Sequence, residues 1–172
     1  MLQAWNGFYA LLGAASGGLI GLVFIVVTLT SGLGLDRARA LRGASQYLTP
    51  TVLQFSVVLM ASAVSLAPLA DGLQRAVLAL VALAAMVFTL ADTLRVHIGV
   101  TQRAIHWSDP WCYAIVPAIG YALFGALALA GWAIGSGAVA LLILMWGIRN
   151  AWDLVTWLAP GRPDDGSTPP PG

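Results

Sequence analysis

The chain contains no lysine, no glutamate and a single cysteine, and charged residues make up only 9% of its 172 positions. A soluble domain uses about 25% charged residues to hydrate its surface, so this composition argues against a water-exposed globular fold. The lone Cys112 excludes an intrachain disulfide and has no C-x-x-C partner for a metal site. A net charge of +1 gives no basis for a nucleic-acid partner. Also missing are a G-x-S-x-G turn, a phosphate-binding glycine loop and an H-E-x-x-H helix. No enzyme activity and no cofactor is therefore expected.

What the chain has instead is hydrocarbon, with 59% hydrophobic residues. Five apolar runs can be read, approximately Phe8 to Thr30, Leu48 to Ala70, Leu73 to Arg95, Trp111 to Ile134 and Ala138 to Leu158. Each approaches the roughly 20 residues that cross about 30 Å of bilayer core. Connections as short as Asp71-Gly72 and Gly135-Ser136-Gly137 require antiparallel neighbours. The predicted fold is all-α, a single transmembrane bundle of five helices over residues 1–159. The first run has no Lys or Arg before it and exceeds the length of a signal h-region, so it is expected to stay as a helix.

Arginine placement sets the orientation. Arg37, Arg39, Arg42, Arg95, Arg103 and Arg162 fall on one side of such a bundle, against Arg75 alone on the other. The positive-inside rule then places the N-terminus outside and the C-terminus in the cytoplasm. Trp5, Tyr9 and Trp132 are expected at the outer interface, and Tyr47, Trp107, Trp111 and Trp157 at the inner one. Thr49-Pro50 and Asp109-Pro110 read as helix starts, each a capping side chain before a proline. Residues 35–43 read either as a short interfacial helix or as a solvated basic loop. The tail, residues 160–172, is rich in Pro and Gly and is expected to be a disordered cytoplasmic segment.

Three groups of residues stand out within the runs. Gly13, Gly17 and Gly21 recur every fourth residue in the first helix, a spacing that lets helix backbones approach closely. The neighbour they serve is either another helix of the chain or a second copy. Thr51, Gln54, Ser62 and Ser65 form a polar stripe on the second helix, suited to bundle packing or to lining water.

The third group is a set of intramembrane charges. Arg149, Asn150 and Asp153 lie near the middle of the last run, where a charge costs roughly 2.5–3.5 kcal/mol on insertion scales. Asp92 falls at the depth of Asp153 on the third helix, with Arg95 near its cytoplasmic end, so the five residues are expected to form a neutral cluster in which Arg95 reaches toward the headgroups. Three readings fit it: a structural ion pair joining helices three and five, an ion- or substrate-handling site, and a contact with a partner protein. His97, His106, Asp109 and Cys112 fit no established zinc spacing, and no metal site is expected.

Three stretches carry a family resemblance. Asn6-Gly7-Phe8-Tyr9 through Gly13 to Gly21-Leu22-Val23-Phe24-Ile25-Val26, then Leu48-Thr49-Pro50-Thr51-Val52-Leu53-Gln54-Phe55, then Gly147-Ile148-Arg149-Asn150-Ala151-Trp152-Asp153-Leu154-Val155 resemble a family of small uncharacterised bacterial membrane proteins. Trp111-Cys112-Tyr113 with Pro117 and Tyr121 fits the same pattern. The resemblance implies a five-helix fold in the bacterial inner membrane and transfers no activity. The expectation is a non-enzymatic accessory or interaction subunit, working in the lipid bilayer with a second copy or another membrane protein. The alternative is a small channel or transporter with a polar path past Gln54, Asp92, Arg149, Asn150 and Asp153.

Overall fold

The computed structural model describes residues 5–31, 48–99 and 114–158, with side chains for all of these except 30, 31, 95–99, 157 and 158. They form five helices: α1 (Asn6–Ser31), α2 (Thr49–Leu66), α3 (Asp71–Gly99), α4 (Val116–Leu129) and α5 (Ala133–Leu158). Among the described residues there is no strand. Helices α1, α2, α3 and α5 are each long and apolar enough to cross a membrane. Helix α4 is apolar but has 14 residues, about 21 Å at 1.5 Å per residue. The predicted stretch before it, Trp111 to Tyr113, lies outside the described residues, as do the interfacial segment 35–43 and the tail 160–172.

The surface is apolar and the interior partly polar. Leu11, Leu80 and Leu142 stand outward, while Ser16, Thr51, Gln54 and Asn150 are buried. That inversion suits a bundle whose solvent is lipid, because only the protein itself can satisfy polar groups there. Helix α2 packs against α1, α3 and α5; α4 bridges α3 and α5, and α1 also touches α5. Gly13 lies opposite Ser62, and the Ser16 hydroxyl donates to the Phe55 carbonyl at 2.7 Å, so α1 and α2 run antiparallel. The aromatic centre of the core is Tyr9, Phe55, Tyr121 and Phe124.

Helix ends differ from the sequence reading for identifiable reasons. The second run ends at Leu66, because Ala67 is held extended (φ −68°, ψ 141°) by the ring of Pro68 that follows it. Asp71-Gly72 is not a turn but the first turn of α3, where a carboxylate favours the positive end of the helix dipole. The break between the last two helices falls at Ala130 to Trp132. There Gly131 has φ +72°, Gly131 N–H donates to the Ala128 carbonyl and Trp132 N–H to Leu127. This is the pair of bonds that closes a helix with a left-handed glycine.

Gly135-Ser136-Gly137, predicted as the connection, therefore lies inside α5. Gly137 is there for space: a Cβ on it would come within 3.2 Å of the Phe8 ring. Tyr9, expected at the outer interface, is 1% exposed and its hydroxyl reaches Ser136 Oγ at 3.4 Å. Its ring belongs to the core because α1 and α5 run side by side at that end. Trp132 does stand outward.

Gly131→Ala is expected to destabilise the bundle by about 1–2 kcal/mol through the backbone conformation alone. The new methyl would also lie 2.6 Å from Cζ of Arg75. Gly72→Ala, where an added Cβ meets nothing within 4 Å, is expected to leave the unfolding temperature in detergent unchanged or slightly raised.

Candidate functional site

The polar stripe of α2 faces inward: Thr51, Gln54, Ser62 and Ser65 are all buried. It meets α5 at Gln54, whose Oε1 accepts a hydrogen bond from Asn150 Nδ2 at 3.2 Å. Both side chains are fully enclosed, Gln54 1% and Asn150 0% exposed. The close approach depends on Gly147, one turn before Asn150, where a Cβ would lie 2.7 Å from the Phe55 ring and 3.2 Å from Gln54 Oε1. A glycine at that position lets α2 and α5 meet with side chains flush and the amides in reach.

From Asn150 the network continues outward. Arg149 donates from one terminal nitrogen to Asn150 Oδ1 at 3.3 Å, and its other terminal nitrogen lies 3.5 Å from Asp153 Oδ2. The guanidinium also stands over the Trp146 ring, 5.3 Å from its centre, a cation–π geometry. The order of contacts is thus Gln54, Asn150, Arg149, Asp153, with the first two in the bundle centre and the last two toward its surface. At the surface end the side chains are 47% exposed for Arg149 and 36% for Asp153.

Of the five residues the sequence placed in one cluster, Asn150, Arg149 and Asp153 are joined in this network. Asn150 is buried, Asp153 half-buried and Arg149 exposed. Helix α3, with Asp92, packs mainly against α2 and α4. The junction that α5 makes through its polar group is with α2, at Gln54 and Asn150. Asp92 is half-buried on α3, and the side chain of Arg95 lies outside the described residues.

The glycine track also divides. A Cβ on Gly13 would come within 3.1 Å of Ser62 Cβ, while Gly17 and Gly21 have nothing within 4 Å. Gly13 serves contact within the chain; Gly17 and Gly21 are on the exposed face of α1. The Ser62 and Ser65 hydroxyls are buried without a hydrogen-bond partner among the described residues. Ser62 acts at this contact through its small size.

Gln74, which the sequence reading did not single out, has a structural part at the opposite end of the bundle. Its Nε2 donates to the carbonyls of Val64 and Ser65, each at 3.0 Å. Beside it, Arg75, Gly131 and Ser136 line a cavity of about 20 Å³, room for one water. Among the described residues no three His, Cys, Asp or Glu side chains gather as metal ligands. The side chain of His97, and residues His106, Asp109 and Cys112, lie outside the described ones.

Comparison with protein-family models, with curated proteins and with solved structures finds no match.

Asn150→Leu would leave Gln54 Oε1 buried without its donor, and Gln54→Leu would do the reverse. Each single change is expected to cost about 1–3 kcal/mol in unfolding free energy, the usual penalty of an orphaned buried group. The Gln54→Leu/Asn150→Leu double variant is expected to lose less than the sum. Additive losses in that cycle would show that the two amides are not coupled.

Proposed function

We propose that this chain is a non-enzymatic integral protein of the bacterial inner membrane that acts as an interaction subunit through helix packing. It crosses the bilayer five times, with its N-terminus outside and its C-terminus in the cytoplasm. The asymmetry of arginines supports that orientation, and the sequence resemblance supports the membrane. Hydrogen bonding within the bundle supports a packing role. Two of the groups that would line a polar path, Gln54 and Asn150, are occupied by one another, and Gly147 lets Phe55 close the space beside them.

The observation that carries the reading is the outward position of the Arg149–Asp153 pair. Both lie within the candidate span Ala133–Thr156, on a face that hydrocarbon solvates poorly. A protein surface laid against that face removes the charges from lipid and supplies further hydrogen-bond partners. A conduit would instead turn its charges toward the bundle axis.

In proteoliposomes, the protein is expected to pass no protons, sodium or potassium above the empty-vesicle rate. Flux that disappears in Asp92→Asn or Asp153→Asn would overturn the interaction reading in favour of a transporter. Mass measurement in mild detergent is expected to find the chain in a complex larger than its own 17.9 kDa.

A further inference from the structure

Arg75 is the arginine that the positive-inside rule leaves unexplained, on the side opposite Arg37, Arg39, Arg42 and Arg103. Its surroundings supply a reason. We propose that Asp71, Gln74 and Arg75, beside the Gly131 turn, bind the headgroup of a zwitterionic phospholipid that carries a phosphodiester and a primary ammonium. The proposal rests on the membrane reading alone and not on the interaction role.

The two connections beside Arg75 fix its level. Residues 67–70 lead into α3 and residues 130–132 into α5, and most of them are exposed. Irregular backbone exposed to lipid does not occur within the hydrocarbon, so both connections mark the headgroup region. Arg75 lies four residues into α3, about 6 Å along the axis, and a helical side chain leans back toward the start of its helix. Its guanidinium rests against the second connection, with Cζ and both terminal nitrogens within 2.9 Å of where a Cβ on Gly131 would stand. Gly131 leaves the space that Arg75 occupies.

The polar groups at this place suit a ligand with two charges. Asp71 is one helical turn before Arg75, a spacing at which acid and base join on a helix surface, yet neither makes an ion pair or hydrogen bond among the described residues. Both line the same cavity, together with Gln74. Gln74 gives both amide hydrogens to α2 carbonyls, which leaves its oxygen as an acceptor. The opening thus offers the five N–H donors of one cation and, beside them, a carboxylate and an amide oxygen. A simple anion would meet repulsion from Asp71, and a simple cation would meet it from Arg75. A zwitterion answers both: its phosphate oxygens accept from the guanidinium fork, and its ammonium donates to Asp71 and Gln74.

The enclosed space, about 20 Å³, takes one water-sized group, so the headgroup inserts one oxygen and otherwise rests across the mouth. Leu73, Leu129 and Trp132 adjoin the lining residues in sequence, and each is more than half exposed. They give acyl chains an apolar surface at the same level, which a free headgroup would not use.

The test is native mass spectrometry of the full-length chain, purified in mild detergent and mixed with phosphatidylethanolamine, phosphatidylglycerol or phosphatidylcholine. Wild type is expected to retain phosphatidylethanolamine about tenfold or more over the other two, the worth of one hydrogen bond to a charged group. Phosphatidylglycerol has no ammonium, and the quaternary ammonium of phosphatidylcholine has no N–H to donate. Arg75→Gln is expected to lower retention of phosphatidylethanolamine by a similar factor. Asp71→Asn is expected to bring phosphatidylethanolamine down to the level of phosphatidylglycerol while both still bind. General destabilisation would not change that preference, because it would weaken all three lipids together.

Equal retention of the three lipids by wild type, or undiminished retention of phosphatidylethanolamine by Arg75→Gln, would overturn the proposal. So would an Asp71→Asn chain that keeps the wild-type preference, and this variant decides if Arg75→Gln does not fold. Displacement of the lipid by an equal concentration of glycerophosphoethanolamine would assign the site to a free headgroup and end the lipid proposal. A chain recovered in solution without detergent would remove the membrane reading as well. The interaction role stands or falls separately, on the flux and mass measurements.

Discussion

A polar side chain inside a bundle surrounded by lipid has no water to fall back on, and the hydrogen bonds that α2 makes to its neighbours reflect that constraint. This helix stands against three others, and at each one a polar group is met by protein. Ser16 of α1 reaches the Phe55 carbonyl, Asn150 of α5 reaches Gln54, and Gln74 of α3 reaches the carbonyls of Val64 and Ser65. Interhelical hydrogen bonds in membranes average only about 0.6 kcal/mol each, so they fix register more than they supply stability. Stability comes from close packing, for which Gly13 and Gly147 clear the way at the two main faces of α2. The register set by the first group allows the close contacts of the second.

The same reasoning separates the two halves of the α5 network. Gln54 and Asn150 are neutral amides that satisfy one another in a closed interior, and their bond explains itself as architecture. Arg149 and Asp153 are different, because ion pairs on a surface contribute little and a charge in hydrocarbon costs more than such a pair returns. Their side chains are 47% and 36% exposed on α5, and the proposed interaction role rests on that position.

Much of the fold can be read in the chain because apolar run length and proline position are local signals. The starts of α1 and α2 follow from them, as does the inward stripe Thr51, Gln54, Ser62 and Ser65, which shares one helical face. Less legible were features in which one residue type has two uses. Glycine marks a turn at Gly131 but a close contact at Gly137 and Gly147, and only the neighbouring helices distinguish these. Tyr9 has the ring and hydroxyl of an interfacial residue, yet a partner hydroxyl on Ser136 allows it to be buried. The pairing of Asn150 with Gln54 was hidden for the same reason. Both were recognised as intramembrane polar residues, but lateral order within a bundle is a tertiary property that no spacing encodes.

The bond from Gln74 has a bearing on how the bundle is assembled. The last carbonyls of any helix lack partners within it, and at Val64 and Ser65 they are met by a side chain from the first turn of the next helix. The Val64 carbonyl also accepts from the Ala67 N–H at 3.3 Å, and the Gln74 amide adds a tie across the bend that holds α2 and α3 as one hairpin. Its closing residue lies beside the short bend at Pro68, where the polypeptide reverses and the pair first becomes whole.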